Sequence, residues 1–213
     1  VNAAGVERPV SYERKDAHYR KAKATGLRAR SAFKLEELDD RYRLLRAGDH
    51  VVDLGAWPGG WLQVAAARVG ARGRVVGVDL QAIAPLGPNV VTLSGDVADP
   101  AVVAQLREAL GRPADVVLSD LAPKLTGIRD ADEARATALV SGVLDVLPQL
   151  LRADGRLLVK IFTNPSQRAL VSRLGTIFRE VRTTRPDASR KGSSELYAVG
   201  IGYRPPGDNL GTR

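Results

Sequence analysis

From residue 48 onward the chain alternates short apolar runs with amphipathic segments, which restricts it to a mainly parallel sheet with helices on both faces. The apolar runs cover 50–54, 74–80, 90–95, 114–120 and 155–162. Helical periodicity fills 60–69, 100–110 and 130–151 between them, with a disturbance expected at Pro148. A further helix over 165–178 leads to extended runs at 180–185 and 195–203, joined by the polar stretch 186–194 and read as an antiparallel pair. The sum is a Rossmann-like α/β fold with a seven-stranded sheet. Upstream, Ser31 is expected to cap a helix reaching about Tyr42, with Phe33, Leu35, Leu38 and Tyr42 on its apolar side. The whole chain, 1–213, reads as one domain: a basic arm and first helix over 12–47, a core over 48–204, and loosely ordered ends at 1–11 and 205–213.

The residues that are missing narrow the chemistry. Cysteine is absent and the histidines are His18 and His50, which excludes disulfides, thiolate nucleophiles, iron–sulfur clusters and ordinary zinc sites, so no metal is expected. The sequence shows no run of 18 apolar residues and no secretory signal, so a cytoplasmic protein without a membrane span is expected. The formal charge of +8 is concentrated near the start. Between Tyr12 and Lys34 eight basic residues, Arg14, Arg20, Lys21, Arg28 and Arg30 among them, face two acidic ones. Interleaved with Tyr12, His18, Tyr19 and Phe33, they suit phosphate contacts and base stacking, and make RNA the leading partner over a merely solvated basic helix.

The first strand runs into Asp53-Leu54-Gly55-Ala56-Trp57-Pro58-Gly59-Gly60-Trp61, a glycine-rich turn that opens a helix. Glycines there let the backbone approach a ligand at the carboxyl end of the strand. The second strand ends near Asp79, where a carboxylate can accept hydrogen bonds from ribose hydroxyls, and Asp96 follows the third strand, where it can address an adenine amino group. The Gly-x-x-x-Gly-Gly spacing is neither a pyrophosphate fingerprint nor a P-loop. With the antiparallel final pair, S-adenosylmethionine fits better than a nicotinamide dinucleotide.

The run Leu157-Leu158-Val159-Lys160-Ile161-Phe162 places a primary amine in a strand that is otherwise apolar. Burying an isolated ammonium costs several kcal/mol, so Lys160 either reaches water or has a task. Arg156 on the same strand is expected to be the solvated cation. Asp120 closes the preceding strand at the same sheet edge, facing Lys160 across the cofactor's reactive atom if these two strands are neighbours. Methyl transfer to a hydroxyl needs in-line placement and help in removing the hydroxyl proton.

From about His18 to Tyr203 the sequence resembles the FtsJ/RrmJ-type ribose 2′-O-methyltransferases, which modify a uridine of large-subunit ribosomal RNA. The resemblance is carried by five motifs in order. They are Gly26-Leu27-Arg28-Ala29-Arg30-Ser31-Ala32-Phe33-Lys34-Leu35, the glycine-rich turn 53–61, Ser119-Asp120-Leu121-Ala122-Pro123, Leu158-Val159-Lys160-Ile161-Phe162, and 186–190 together with Ser194-Glu195-Leu196-Tyr197. It implies a catalytic tetrad on Lys34, Asp120, Lys160 and Glu195, with Lys160 as the base or the orienter of the 2′-hydroxyl. It also implies cofactor contacts at Gly59, Trp61, Asp79, Asp96 and Asp120, beside the close approach at Gly55. The expected partner is large-subunit ribosomal RNA in the assembled or maturing subunit, met by a monomer. Transfer RNA, a messenger cap, or a non-catalytic role in ribosome assembly remain open alternatives. Two positions depart from the family pattern: Trp57 stands where a small residue is usual, and Phe162-Thr163-Asn164 lacks an expected glycine.

Overall fold

The computed structural model describes residues 24–124, 126–189 and 193–207. Seven strands form one sheet: β1 (His50–Leu54), β2 (Arg74–Asp79), β3 (Val90–Ser94), β4 (Ala114–Ser119), β5 (Leu151–Phe162), β6 (Phe178–Thr184) and β7 (Glu195–Tyr203). Their order is β3-β2-β1-β4-β5-β7-β6. The first five run parallel, while β7 is antiparallel to both β5 and β6. Five helices of the described residues pack on it: α1 (Ala32–Tyr42), α2 (Gly60–Val69), α3 (Pro100–Leu110), α4 (Arg129–Leu150) and α5 (Gln167–Ile177).

Because side chains alternate across a strand, the central valines and leucines divide between two cores. Val51, Val75, Val116 and Leu158 pack under α1 and α2, and Val52, Val76, Val117 and Leu157 pack under α3, α4 and α5. Lys160, two residues after Leu158, therefore points to the α1 side. Parity alone thus sends its amine toward Lys34 on α1. Among the described residues no helix is long and apolar enough to cross a membrane.

Four expectations are corrected. Ser31 has helical dihedrals and makes no side-chain cap; its carbonyl accepts from Lys34 N and from the Trp61 indole instead. The helix α4 runs unbroken to Leu150 although Pro148 lies inside it and withholds one backbone donor. The strand β5 begins at Leu151 rather than at residue 155, with a register shift against β4 between Ala114 and Val116. Arg156 is only 3% exposed: it donates to the Leu44 carbonyl and pairs with Asp49 Oδ2 at 2.9 Å. The remaining differences are element ends shifted by one or two residues, where pairing stops at the turn. Arg14, Arg20, Lys21 and the segment 1–11 lie outside the described residues.

Candidate active site

The carboxyl ends of the parallel strands converge on one edge of the sheet, where open α/β folds bind ligands. A cleft of about 420 Å³ lies there, lined by Gly55, Trp57, Asp79, Leu80, Asp96 and Asp120 among others. Its volume lies within the usual range for a small-molecule site. Gly55 has φ +83°, and a Cβ there would come within 2.5 Å of the Leu121 side chain, so the tight turn after β1 requires glycine. The Asp79 carboxylate accepts from Trp57 N at 3.0 Å and from Gln81 N at 2.9 Å, which holds it rigidly at the cleft wall. Each oxygen keeps a further lone pair for a ribose hydroxyl. Asp96 is fixed in the same way by Ala98 N at 2.9 Å. Two rigid carboxylates, a glycine turn and apolar walls fit a nucleoside cofactor such as S-adenosylmethionine.

Two expected cofactor residues, Gly59 and Trp61, are not among the residues that line this cleft. Gly59, at φ +106°, packs on Arg28 and Ile83. The Trp61 ring is buried, its Nε1 donating to Ser31 O at 2.8 Å and its centroid 6.0 Å from that of Tyr197. Arg28, expected at RNA, is committed elsewhere: its guanidinium donates to the carbonyls of Pro58, Ala84 and Pro85 at 3.4, 2.7 and 2.6 Å. It braces the cofactor loop through its backbone. Arg30 acts electrostatically on the Tyr197 hydroxyl, against the effect of burial there.

Beside the cleft, the structure brings Lys34, Asp120, Lys160 and Glu195 together. Lys160 Nζ lies 2.7 Å from Asp120 Oδ1, donates to the Asp120 carbonyl at 2.9 Å, and is 3.7 Å from Glu195 Oε1. Lys34 Nζ pairs with Glu195 Oε2 at 2.8 Å. Both lysines are 4% exposed, so neither amine escapes to water. The sheet explains why Glu195 takes part. In the β5–β7 register Lys160 faces Tyr197 and Phe162 faces Glu195, and a spacing of two returns Glu195 to the Lys160 side.

Tyr197 belongs to this cluster although the sequence reading gave it no role. Its hydroxyl donates to Asp120 Oδ1 at 2.6 Å and accepts from Lys34 Nζ at 3.3 Å. Burial, together with the charges of Asp120 and Glu195, pushes its ionisation well above the usual phenol range, so it remains a donor. Its place two residues after Glu195 on a strand was the available signal. Burial also raises Glu195, but hydrogen bonding and charge from Lys34 and the charge of Lys160 outweigh this, and its carboxyl lies below the ordinary range.

One further acid belongs to the same edge. Asp53, on β1, is 1% exposed and, among the described residues, neither carboxyl oxygen has a hydrogen-bond partner. Burial, reinforced by Asp120 and Asp79, pushes its ionisation well above the usual carboxylate range. Burial thus favours the protonated form of this acid under the glycine turn.

A model of FtsJ-like methyltransferases matches residues 27–203. Large-subunit ribosomal RNA methyltransferase E of Halobacterium salinarum is 47% identical over 189 residues, covering 88% of this chain and 73% of that protein. The Methanothermobacter thermautotrophicus protein of the same name is 43% identical, over 90% of this chain and 91% of its own length. In structure, a ribosomal RNA methyltransferase from Plasmodium falciparum superposes with a TM-score of 0.75 at 27% identity, over 83% of this chain and 98% of that one. With the match running from the segment before α1 to the end of β7, the chain belongs to the FtsJ-like methyltransferase family and is a methyltransferase enzyme.

Proposed function

We propose that this protein uses S-adenosylmethionine to methylate the 2′-hydroxyl of a uridine ribose in large-subunit ribosomal RNA, acting as a monomer in the cytoplasm on an assembled or maturing subunit. The observation that carries the reading is the Lys160 amine, held by Asp120 at the edge where that same aspartate lines the cofactor cleft. Asp120 thus belongs to both halves of the site. The names and identities of the relatives support the RNA class.

The cofactor, when bound, supplies an electrophilic methyl group. Asp79 and Asp96 hold its nucleoside, and Gly55 lets the chain approach it. Lys160 donates to the Asp120 carbonyl and is ion-paired with Asp120 Oδ1, which fixes its amine to hold the 2′-oxygen in line and to meet the negative charge that develops there. The hydroxyl proton passes toward the neighbouring carboxylates. Lys34 and Tyr197 fix those carboxylates in place. A second cleft of about 410 Å³, bounded by Arg129, Asp132, Glu133, Phe162, Asn164 and Ser194, adjoins the β5 and β7 ends.

The test supplies labelled S-adenosylmethionine with large ribosomal subunits, transfer RNA and capped RNA, followed by mapping of ribose methylation. Label on one ribose of the large-subunit RNA is expected. Label confined to transfer RNA or to the cap would replace the substrate, and cofactor binding without transfer to any RNA would favour an assembly factor.

A further inference from the structure

Three large apolar side chains stand exposed among the described residues: Trp57, Leu80 and Ile128. Two of them, Trp57 and Leu80, line the cofactor cleft. Trp57 is 49% exposed and Leu80 is 75% exposed, an unfavourable arrangement in water unless something covers them. The position of Trp57 is set from both sides. Its backbone N–H is held by Asp79 Oδ2 at 3.0 Å, and the next carbonyl, that of Pro58, accepts from Arg28. The loop is also closed by Gly59 N donating to Ala56 O at 2.7 Å. An aromatic on so constrained a loop loses little freedom when a ligand packs on it.

We propose that Trp57 is a cofactor-positioning residue, its indole forming with Leu80 an apolar wall that the adenosyl half of the bound cofactor covers. The inference rests on the methyltransferase reading above and deepens it. The anchor of the Trp57 loop, Asp79, is the carboxylate placed to take ribose hydroxyls. A planar base or a ribose face beside that carboxylate would meet the indole and the leucine, burying apolar surface that the free protein leaves wet. The incoming RNA base is a poorer match. The order β2-β1-β4-β5 sets the end of β2, which anchors Trp57, three strand spacings from Lys160, about 14 Å. Trp57 therefore belongs to the cofactor side of the reaction.

The chain has two tryptophans, and the other, Trp61, is buried against Ser31 O, so indole emission can be assigned. The full protein is titrated with S-adenosylhomocysteine, with adenosine and with a ribosomal RNA fragment, following tryptophan emission in parallel with calorimetry. Saturable emission changes with the first two ligands are expected in the wild type and absent in Trp57→Phe, which keeps an aromatic wall and near-normal affinity. Trp57→Ala should raise the S-adenosylhomocysteine Kd roughly tenfold or more, with an unchanged unfolding midpoint. Three results overturn the proposal: calorimetric binding with no change in Trp57 emission, a Trp57→Ala affinity within about twofold of wild type, or emission that answers RNA alone. If S-adenosylhomocysteine does not bind the wild type at all, the cofactor reading fails and the inference falls with it.

Discussion

Lys160 Nζ is 2.7 Å from Asp120 Oδ1 and donates to the carbonyl of the same residue at 2.9 Å, so the amine of β5 is fixed by the end of β4. A lysine that merely relieved its own burial would turn to water. This one is 4% exposed and is surrounded by two carboxylates, a second lysine and a tyrosine. Four residues on three elements hold one nitrogen and its counter-charges in a defined place, which is the preorganisation that transfer to a hydroxyl requires.

Glu195 links the two lysines, pairing with Lys34 at 2.8 Å and facing Lys160 at 3.7 Å. Glu195→Gln should lower kcat by roughly tenfold or more while leaving cofactor affinity nearly unchanged. Since burial is outweighed by the lysines and the native carboxyl is lowered, activity that depends on its charge is present above the ordinary carboxylate range and is lost as pH falls through the lowered value. The acid limb of the pH–rate profile should disappear in the variant; an identical limb would show that Glu195 does not produce it.

Asp53 gives the opposite dependence. Its native carboxyl is raised by burial first and by Asp120 and Asp79 after that, so the folded state keeps a proton that the unfolded chain releases. Its contribution to stability is fully present below about pH 4, the unfolded value, and is lost as pH rises toward the raised native one. Urea unfolding at a series of pH values should show Asp53→Asn gaining on the wild type as pH rises. Parallel curves would contradict the buried neutral acid.

Arg156 and Asp49 form a buried pair far from the reaction. Arg156→Leu leaves the Asp49 charge without its partner and should cost about 3–5 kcal/mol in urea unfolding. Removing both charges, with Asp49→Leu added, should recover much of that. A loss below about 1 kcal/mol in the single variant would assign the pair to the weak, solvated class.

Arg28 is bound to the backbone of the cofactor loop and of residues 84–85. Its hydrogen bonds to Pro58, Ala84 and Pro85 predict that Arg28→Ala weakens S-adenosylhomocysteine binding and leaves the salt dependence of RNA binding unchanged. Neutralising Arg14, Arg20 and Lys21 should instead flatten that dependence, by a slope of about 0.7 for each phosphate that no longer has a cation beside it. If Arg28→Ala also flattens it, the guanidinium serves the RNA after all.

Much of this site was legible in the sequence because polar residues at the ends of apolar strands stand out. Asp79 and Asp120 were placed by that contrast, and Lys160 by its interruption of a strand. The misreadings share a physical cause, in that each residue's partner is remote along the chain. Arg156 looks solvated until Asp49, 107 positions away, is folded beside it. Arg28 looks like one more basic residue until the loops carrying Pro58 and Ala84 supply carbonyls. Tyr197 passes for an ordinary strand aromatic, since nothing local shows that its hydroxyl reaches Asp120.

The central claim is that Lys160 acts on the 2′-hydroxyl rather than on the cofactor, and single-turnover methyl transfer to large ribosomal subunits, measured beside S-adenosylhomocysteine affinity, tests it most directly. The wild type should deposit label on a ribose 2′-oxygen. Lys160→Ala should slow that transfer by about 10²–10⁴-fold while its cofactor affinity stays within about twofold. Near-normal transfer by Lys160→Ala would contradict the account.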